Sequence, residues 1–410
     1  MTSTIKPFTI DIPDTKLASL RSKLDLATFP KDNVPMADDW SYGVPTSDLK
    51  RLVARWRDED GFDWRAAERK LNEQLPQFTT QVAVEGFGEL EIHFVHQKSG
   101  RKGSIPLLFC HGWPGSFIEV SKILPLLTLS DDGPFFDVVA PSLPNFGFSE
   151  GPSKPGFNIP QYAECLHNLM VKLGYPKYVT QGGDWGYAIT RLIGHLYPDA
   201  CLASHLNYIR ADPPSLTKHP LLYLQSLLPL SAAEKAGLER TAWFREQGYG
   251  YNIEQSTRPS TVGAALADSP VALLAWIYEK LHDWTDAYPW ADDEILAWVC
   301  IYWFSAAGPD ASVRIYYESQ NNTLPHTREQ REAQLGYNAR VKLGLSYFPR
   351  DLLVYPRTYG RTLGPVVFEK VHTEGGHFAA YEKPELLAGD LRAMFGSGGG
   401  GQQVARVWQV

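Results

Sequence analysis

The feature that most limits what this chain can become is the alternation of apolar strand-like runs with a helical one between residues 89 and 208. "ELEIHFVH" alternates Leu90, Ile92 and Phe94 with polar neighbours, and "SIPLLFC" is the unbroken apolar run of a strand buried on both faces. "FFDVVAPSLP", the helix "IPQYAECLHNLMVKLG", "KYVT" and "CLASHLN" follow. Strands separated by helices predict a parallel sheet with right-handed crossovers. From about Ile209 to Asn338 the alternation stops, and helical pattern rich in Trp and Tyr takes over in "PVALLAWIYEKLHDWTD" and "DDEILAWVCIYWFSAAG". It resumes with "RVKLGLSYFPRD" and "GPVVFEKVHTEGGHF" and closes on the helix "KPELLAGDLRAMF". The expected class is α/β: a mostly parallel central sheet flanked by helices over 89–208 and 339–395, a helical cap inserted late in the sheet over 209–338, and an N-terminal helical extension over 1–88. Residues 396–410 read as a Gly-rich flexible linker with a tail hanging from it.

Composition excludes several kinds of partner. A net charge of −7 and the lack of any Lys/Arg run offer no electrostatic footprint for nucleic acid or an anionic membrane. No window reaches the roughly 18 apolar residues of a spanning helix, and "MTSTIKPFTIDIPDTK" lacks a signal-peptide core. Cys110, Cys165, Cys201 and Cys300 are scattered without metal-ligand spacing, as buried thiols of a reducing compartment would be. The expectation is a soluble cytoplasmic protein without cofactor or metal. Aromatic residues at 12% suggest an apolar pocket for a small neutral ligand. Large α/β enzymes often pair, so a homodimer is compatible.

The chemistry rests on "QGGDWG", residues 181–186, which follows the strand "YVT" and leads into "YAITRLIGHLYP". A nucleophile flanked by small residues at a sharp strand-to-helix turn is the elbow of α/β-hydrolases, and here the central residue is Asp184. An Asp before a helix is otherwise an N-cap; Gly182 and Gly186 favour the elbow. Such enzymes then need an acid and a histidine, in that order. Asp351 ends the penultimate strand, with Asp310 and Glu374 as competitors; His377 lies in "EGGHFAA", while His372 reads as a core or edge histidine. "HGWPGS", residues 111–116, directly follows "IPLLFC", where the backbone amides of Trp113 and Trp185 would form an oxyanion hole.

A carboxylate at the elbow is a statement about the substrate. Serine attacking a saturated carbon would leave an ether that water cannot release, whereas an aspartate makes an ester that a histidine base and an oxyanion hole can hydrolyse. Epoxides and alkyl halides both fit. An epoxide opener wants phenols to protonate the opening oxygen. The cap offers Tyr251 in "GYNIEQSTRPST" and the pair Tyr316 and Tyr317 in "SVRIYYES".

Taken together, "FDWRAAERKLNEQLPQFTT", "IHFVH", "HGWPGS", "PSLPNFGFSEGP", "GGDWG", "HLN", "YNIEQSTRPS", "RIYYES", "FPRD" and "GGHFAAYEKPELL" resemble the epoxide hydrolases of the α/β-hydrolase fold, of the microsomal type and its soluble fungal relatives. The resemblance implies hydrolysis of a small-molecule epoxide to a vicinal diol, with Asp184 as nucleophile, His377 as base and Asp351 as its acid partner. It also implies ring-opening tyrosines at Tyr251 and at Tyr316 rather than Tyr317. Microsomal members carry an N-terminal membrane anchor that is not seen here, so their membrane address is not carried over. The competing readings are a haloalkane dehalogenase, which has no use for paired tyrosines, and a hydrolase-fold receptor with little turnover.

Overall fold

The strands form in chain order as β1 (Lys6–Phe8), β2 (Gln77–Val84), β3 (Gly88–Gln97), β4 (Ile105–Cys110), β5 (Phe136–Pro141), β6 (Tyr178–Gly182), β7 (Cys201–Leu206), β8 (Lys342–Tyr347) and β9 (Val366–Val371). The computed structural model describes residues 4–129, 133–321 and 333–409. Those parts of the expected extension, core, cap and tail that fall on 1–3, 130–132, 322–332 and 410 lie outside the described residues. The strands join one nine-stranded sheet in the order β1-β2-β3-β5-β4-β6-β7-β8-β9. It is antiparallel from β1 to β5 and parallel from there to β9.

Every residue of β4 is buried, which is why its sequence is apolar without alternation. With β5 on one side of it and β6 on the other, the strand order reverses at β4, and the crevice outside the carboxyl ends of strands at such a reversal is where open α/β sheets bind ligands. The loop 111–116 and the 182–186 turn both emerge there. The helix Trp185–Leu196 buries Ile189, Leu192 and Ile193 against the sheet, each contributing about 1.5–3 kcal/mol. That packing anchors the turn from below.

Between β7 and β8 the described chain is helical, including Ala232–Trp243, Gly250–Thr257, Pro270–Asp283, Asp292–Trp303 and Arg314–Gln320. The guanidinium of Arg240 ties this insertion to the segment after β8, donating to the carbonyls of Asp351 (3.1 Å) and Arg350 (3.2 Å). The helix Thr46–Arg57 buries Leu49, Leu52, Val53 and Trp56, and its Arg55 pairs with Asp293 (2.6 Å).

Two expectations are corrected. Residues 1–88 are not a purely helical segment, because β1 and β2 lie within them and extend the main sheet antiparallel to β3. "QFTTQVAV" has the β-branched content and alternation of a strand, but its position beside two helices masked it. Nor is the glycine run a flexible linker. A Cβ on Gly399 would stand 2.2 Å from the Ala393 carbonyl oxygen and one on Gly400 2.2 Å from that of Val367. These glycines permit close approach of backbones, and the tail beyond them coils into Gln402–Ala405 with Ala405 fully buried.

Candidate active site

Asp184 occupies the sharp turn between β6 and its helix with φ of 50°, a conformation costly for a residue with a Cβ. Its neighbours show why the turn is glycine-rich: a Cβ on Gly182 would meet the Gly186 carbonyl oxygen at 2.5 Å, and one on Gly186 the Cys110 carbonyl oxygen at 2.0 Å. Although Asp184 stands at the N-cap position, its side chain makes no capping hydrogen bond. It turns instead to the loop after β4. Asp184 Oδ1 accepts from the Trp113 amide at 2.8 Å, and a Cβ on Gly112 would lie 2.4 Å from that oxygen. The loop is held from above, where Trp298 Nε1 donates to the Pro114 carbonyl (2.6 Å) and Tyr302 to that of Gly115 (2.5 Å).

The late histidine arrives on the other oxygen. His377 Nε2 lies 3.4 Å from Asp184 Oδ2, and its Nδ1 lies 2.6 Å from Asp351 Oδ1. The two side chains of the latter pair are almost wholly buried, and the His377 amide donates to the Trp284 carbonyl at 2.8 Å. Burial alone would push the imidazole down. The Asp351 charge, the hydrogen bonds to Asp184 and Asp351 and the Asp184 charge outweigh it and raise His377 to about 10. The resting ring is therefore an imidazolium between two carboxylates.

Tyr251 and Tyr316 come from the insertion and converge over the same carboxylate. Tyr251 stacks on Trp113 at 5.2 Å between centroids, and Tyr316 stands edge-on to Trp113 (5.7 Å), Trp185 (4.9 Å) and Tyr251 (5.8 Å). Burial first, and for both the nearby Asp184 charge, hold the two phenols well above their ordinary range, so they stay protonated. Tyr316 Oη is buried without a well-formed hydrogen bond. Both tyrosines line a cavity of about 380 Å³ whose walls also include Asp184 and Trp185. Asp184 also borders a second chamber of about 20 Å³, lined by His377, Trp113 and Glu119. The carboxylate belongs to both.

The sequence-predicted residues Asp184, His377, Asp351, Tyr251, Tyr316 and the Trp113 amide thus meet at one point. The Trp185 amide makes no bond to the resting carboxylate. The competitors lie elsewhere: His372 pairs with Asp390 (2.6 Å), Asp310 with Arg314 (2.7 Å), and Glu374 with Lys383. Sequence reasoning missed the half-buried Tyr208, whose ring stands 5.8 Å from that of His377, and the buried Glu119, because nothing local places either at the site. Among the described residues no group of three His, Cys, Asp or Glu side chains is placed to hold a metal, and no single helix is long and apolar enough to cross a membrane.

Comparison with known proteins agrees over nearly the whole length. Residues 5–120 match the family model for the epoxide hydrolase N terminus, and 105–232 that for the alpha/beta hydrolase fold. Epoxide hydrolase 1 of Sus scrofa is 34% identical over 424 residues, covering 96% of this chain and 88% of that protein. The structure of the Aspergillus niger epoxide hydrolase aligns with a TM-score of 0.79 at 38% identity, covering 95% of each chain. The juvenile hormone epoxide hydrolase of the silkworm Bombyx mori aligns with a TM-score of 0.83 at 29% identity, covering 95% of this chain and 93% of that one. With its elbow carboxylate, its histidine and relatives that span nearly all of it, the chain belongs to the epoxide hydrolase family of the α/β-hydrolase fold.

Proposed function

We propose that this epoxide hydrolase works through an ester on Asp184, with Tyr251 and Tyr316 opening the ring and His377, backed by Asp351, driving its hydrolysis. Asp184 Oδ2 attacks an oxirane carbon while Oδ1 keeps the Trp113 amide, and the phenols hydrogen-bond and protonate the departing oxygen. The carboxylate charge disappears in the ester, so His377 loses one of the two anions that hold its proton. It then becomes a base by giving up its resting proton, which balances the proton the phenol lost to the opening oxygen and restores that phenol. Water adds to the acyl carbon, its proton passes to His377, and the oxyanion on Oδ1 meets the Trp113 amide, with Trp185 assigned as second donor. Collapse expels the diol, carrying the former Oδ2, and the proton returns from His377.

The observation that carries this reading is that Asp184 lines two cavities, one shared with both phenols and the other with the imidazole. A dehalogenase would leave the paired phenols unexplained. The test is a single turnover in ¹⁸O-water: the first diol should carry ordinary oxygen and the label should enter Asp184. Label appearing directly in the diol refutes the ester.

We read 209–338 as a lid, because both phenols descend from it, 1–88 as an extension that joins the hydrolase core of 89–208 and 339–395, and 396–410 as a C-terminal segment docked on that core. Four buried cysteines without a disulfide support a cytoplasmic address. Leu221, Leu224, Leu227 and Leu228, each more than half exposed, support a homodimer, and sedentary monomer mass in light scattering across micromolar concentrations would refute it.

A further inference from the structure

The chamber behind Asp184 holds a second carboxyl group that the reaction as described does not use. Glu119, in the turn Phe117–Val120, is 8% exposed, and its Oε1 is buried with no hydrogen-bond partner. Burying a carboxyl oxygen without a partner is unfavourable, so a use is expected. The loop is shaped around it. A Cβ on Gly115 would stand 1.6 Å from Glu119 Oε1, just as one on Gly112 would stand 2.4 Å from Asp184 Oδ1. Each glycine of "HGWPGS" makes room for one carboxyl group. The chamber that Glu119, Asp184 and His377 share, about 20 Å³, is large enough for one water molecule, which needs two to four polar partners.

We infer that Glu119 binds the hydrolytic water opposite His377 and aims its oxygen at the acyl carbon of the Asp184 ester. One water O–H faces His377 Nε2, which takes that proton as the oxygen–carbon bond forms; the other is held by the Glu119 carbonyl oxygen and stays on the new acyl oxygen. Burial, seconded by the Asp184 charge and opposed by His377 and the Ser116 and Gly112 amides, raises Glu119 to about 8. As a neutral acid it accepts a hydrogen bond without competing for the transferred proton.

The inference rests on the Asp184 ester, and the experiment separates the two. Formation and decay of the Asp184 adduct are followed by rapid quench and mass spectrometry with styrene oxide in the native chain and in Glu119→Leu, Glu119→Gln and Gly115→Ala. Glu119→Leu should form the ester within about twofold of the native rate and hydrolyse it about 10²-fold more slowly, the cost of misplacing a reactant. Glu119→Gln, isosteric with the neutral acid, should retain hydrolysis within about fivefold, since its carbonyl oxygen still accepts. Gly115→Ala, which displaces the carboxyl while keeping it, should repeat the hydrolysis defect should the leucine variant not fold. Native-rate hydrolysis in the leucine variant, a parallel loss of both steps, or a loss in Glu119→Gln as large as in Glu119→Leu would overturn the inference alone. No adduct on Asp184 in any protein would overturn the ester and the inference together.

Discussion

Replacing Asp184 by asparagine imitates what the ester does to the electrostatics of the site while keeping the shape of the side chain. In the native protein His377 Nε2 lies 3.4 Å from Asp184 Oδ2. At an effective dielectric constant near 20 that separation corresponds to about 5 kcal/mol of attraction, or between about three and four powers of ten in proton affinity. Asp351 remains at 2.6 Å and burial is unchanged, so Asp184→Asn should carry His377 from about 10 down to between about 6 and 7. Asparagine also tolerates the positive φ at the turn. The assay is proton-detected NMR of histidine-labelled protein, with the His377 signal identified by its loss in His377→Gln. The native signal should stay that of an imidazolium between pH 6 and 9, and the Asp184→Asn signal should titrate within that range. A variant histidine still charged at pH 9 would refute the idea that alkylation of Asp184 switches the base on.

Tyr251→Phe and Tyr316→Phe should each slow ester formation about 10²-fold, and the double variant further, in stopped-flow tryptophan fluorescence; an unchanged double variant removes the phenols from the mechanism. His377→Gln should accumulate the Asp184 adduct, whereas an adduct on another residue would refute the nucleophile. Stability should fall on the alkaline side for a stated reason: His377 is raised from 6.5 to about 10 in the folded chain, so its contribution is complete below about 6.5 and lost as pH rises to 10. Glu119, raised from 4.5 to about 8, gives the same sign between those values. Melting temperatures from pH 5 to 10 should therefore decline less steeply above 6.5 in His377→Gln, and below 8 in Glu119→Gln. Gly400→Ala should destabilise by about 1–3 kcal/mol in thermal melts, because its Cβ would stand 2.2 Å from the Val367 carbonyl oxygen, whereas a loose linker would gain slightly from the change.

The chain's own pattern determined the sheet from β3 onward, the helical insertion and the order Asp184, Asp351, His377. Strand burial, helix periodicity and elbow glycines are local consequences of backbone geometry, and local consequences leave local signals. It was less informative where a segment's fate depends on a remote neighbour. "QFTTQVAV" became a strand because β3 lay ready to pair with it, and the glycine run became a docking surface because two backbones approach it. Which tyrosine of the Tyr316–Tyr317 pair turns inward followed from family resemblance rather than from any property of the two residues. Only the tertiary structure decided that Asp184 lines two cavities, that Asp310 and Glu374 pair with Arg314 and Lys383, and that Glu119 Oε1 lies buried without a partner in the chamber of the base. Those are facts of position between segments far apart in the chain, and charge, burial and proton affinity are set by what lies within a few ångströms in space, wherever it stands in the sequence.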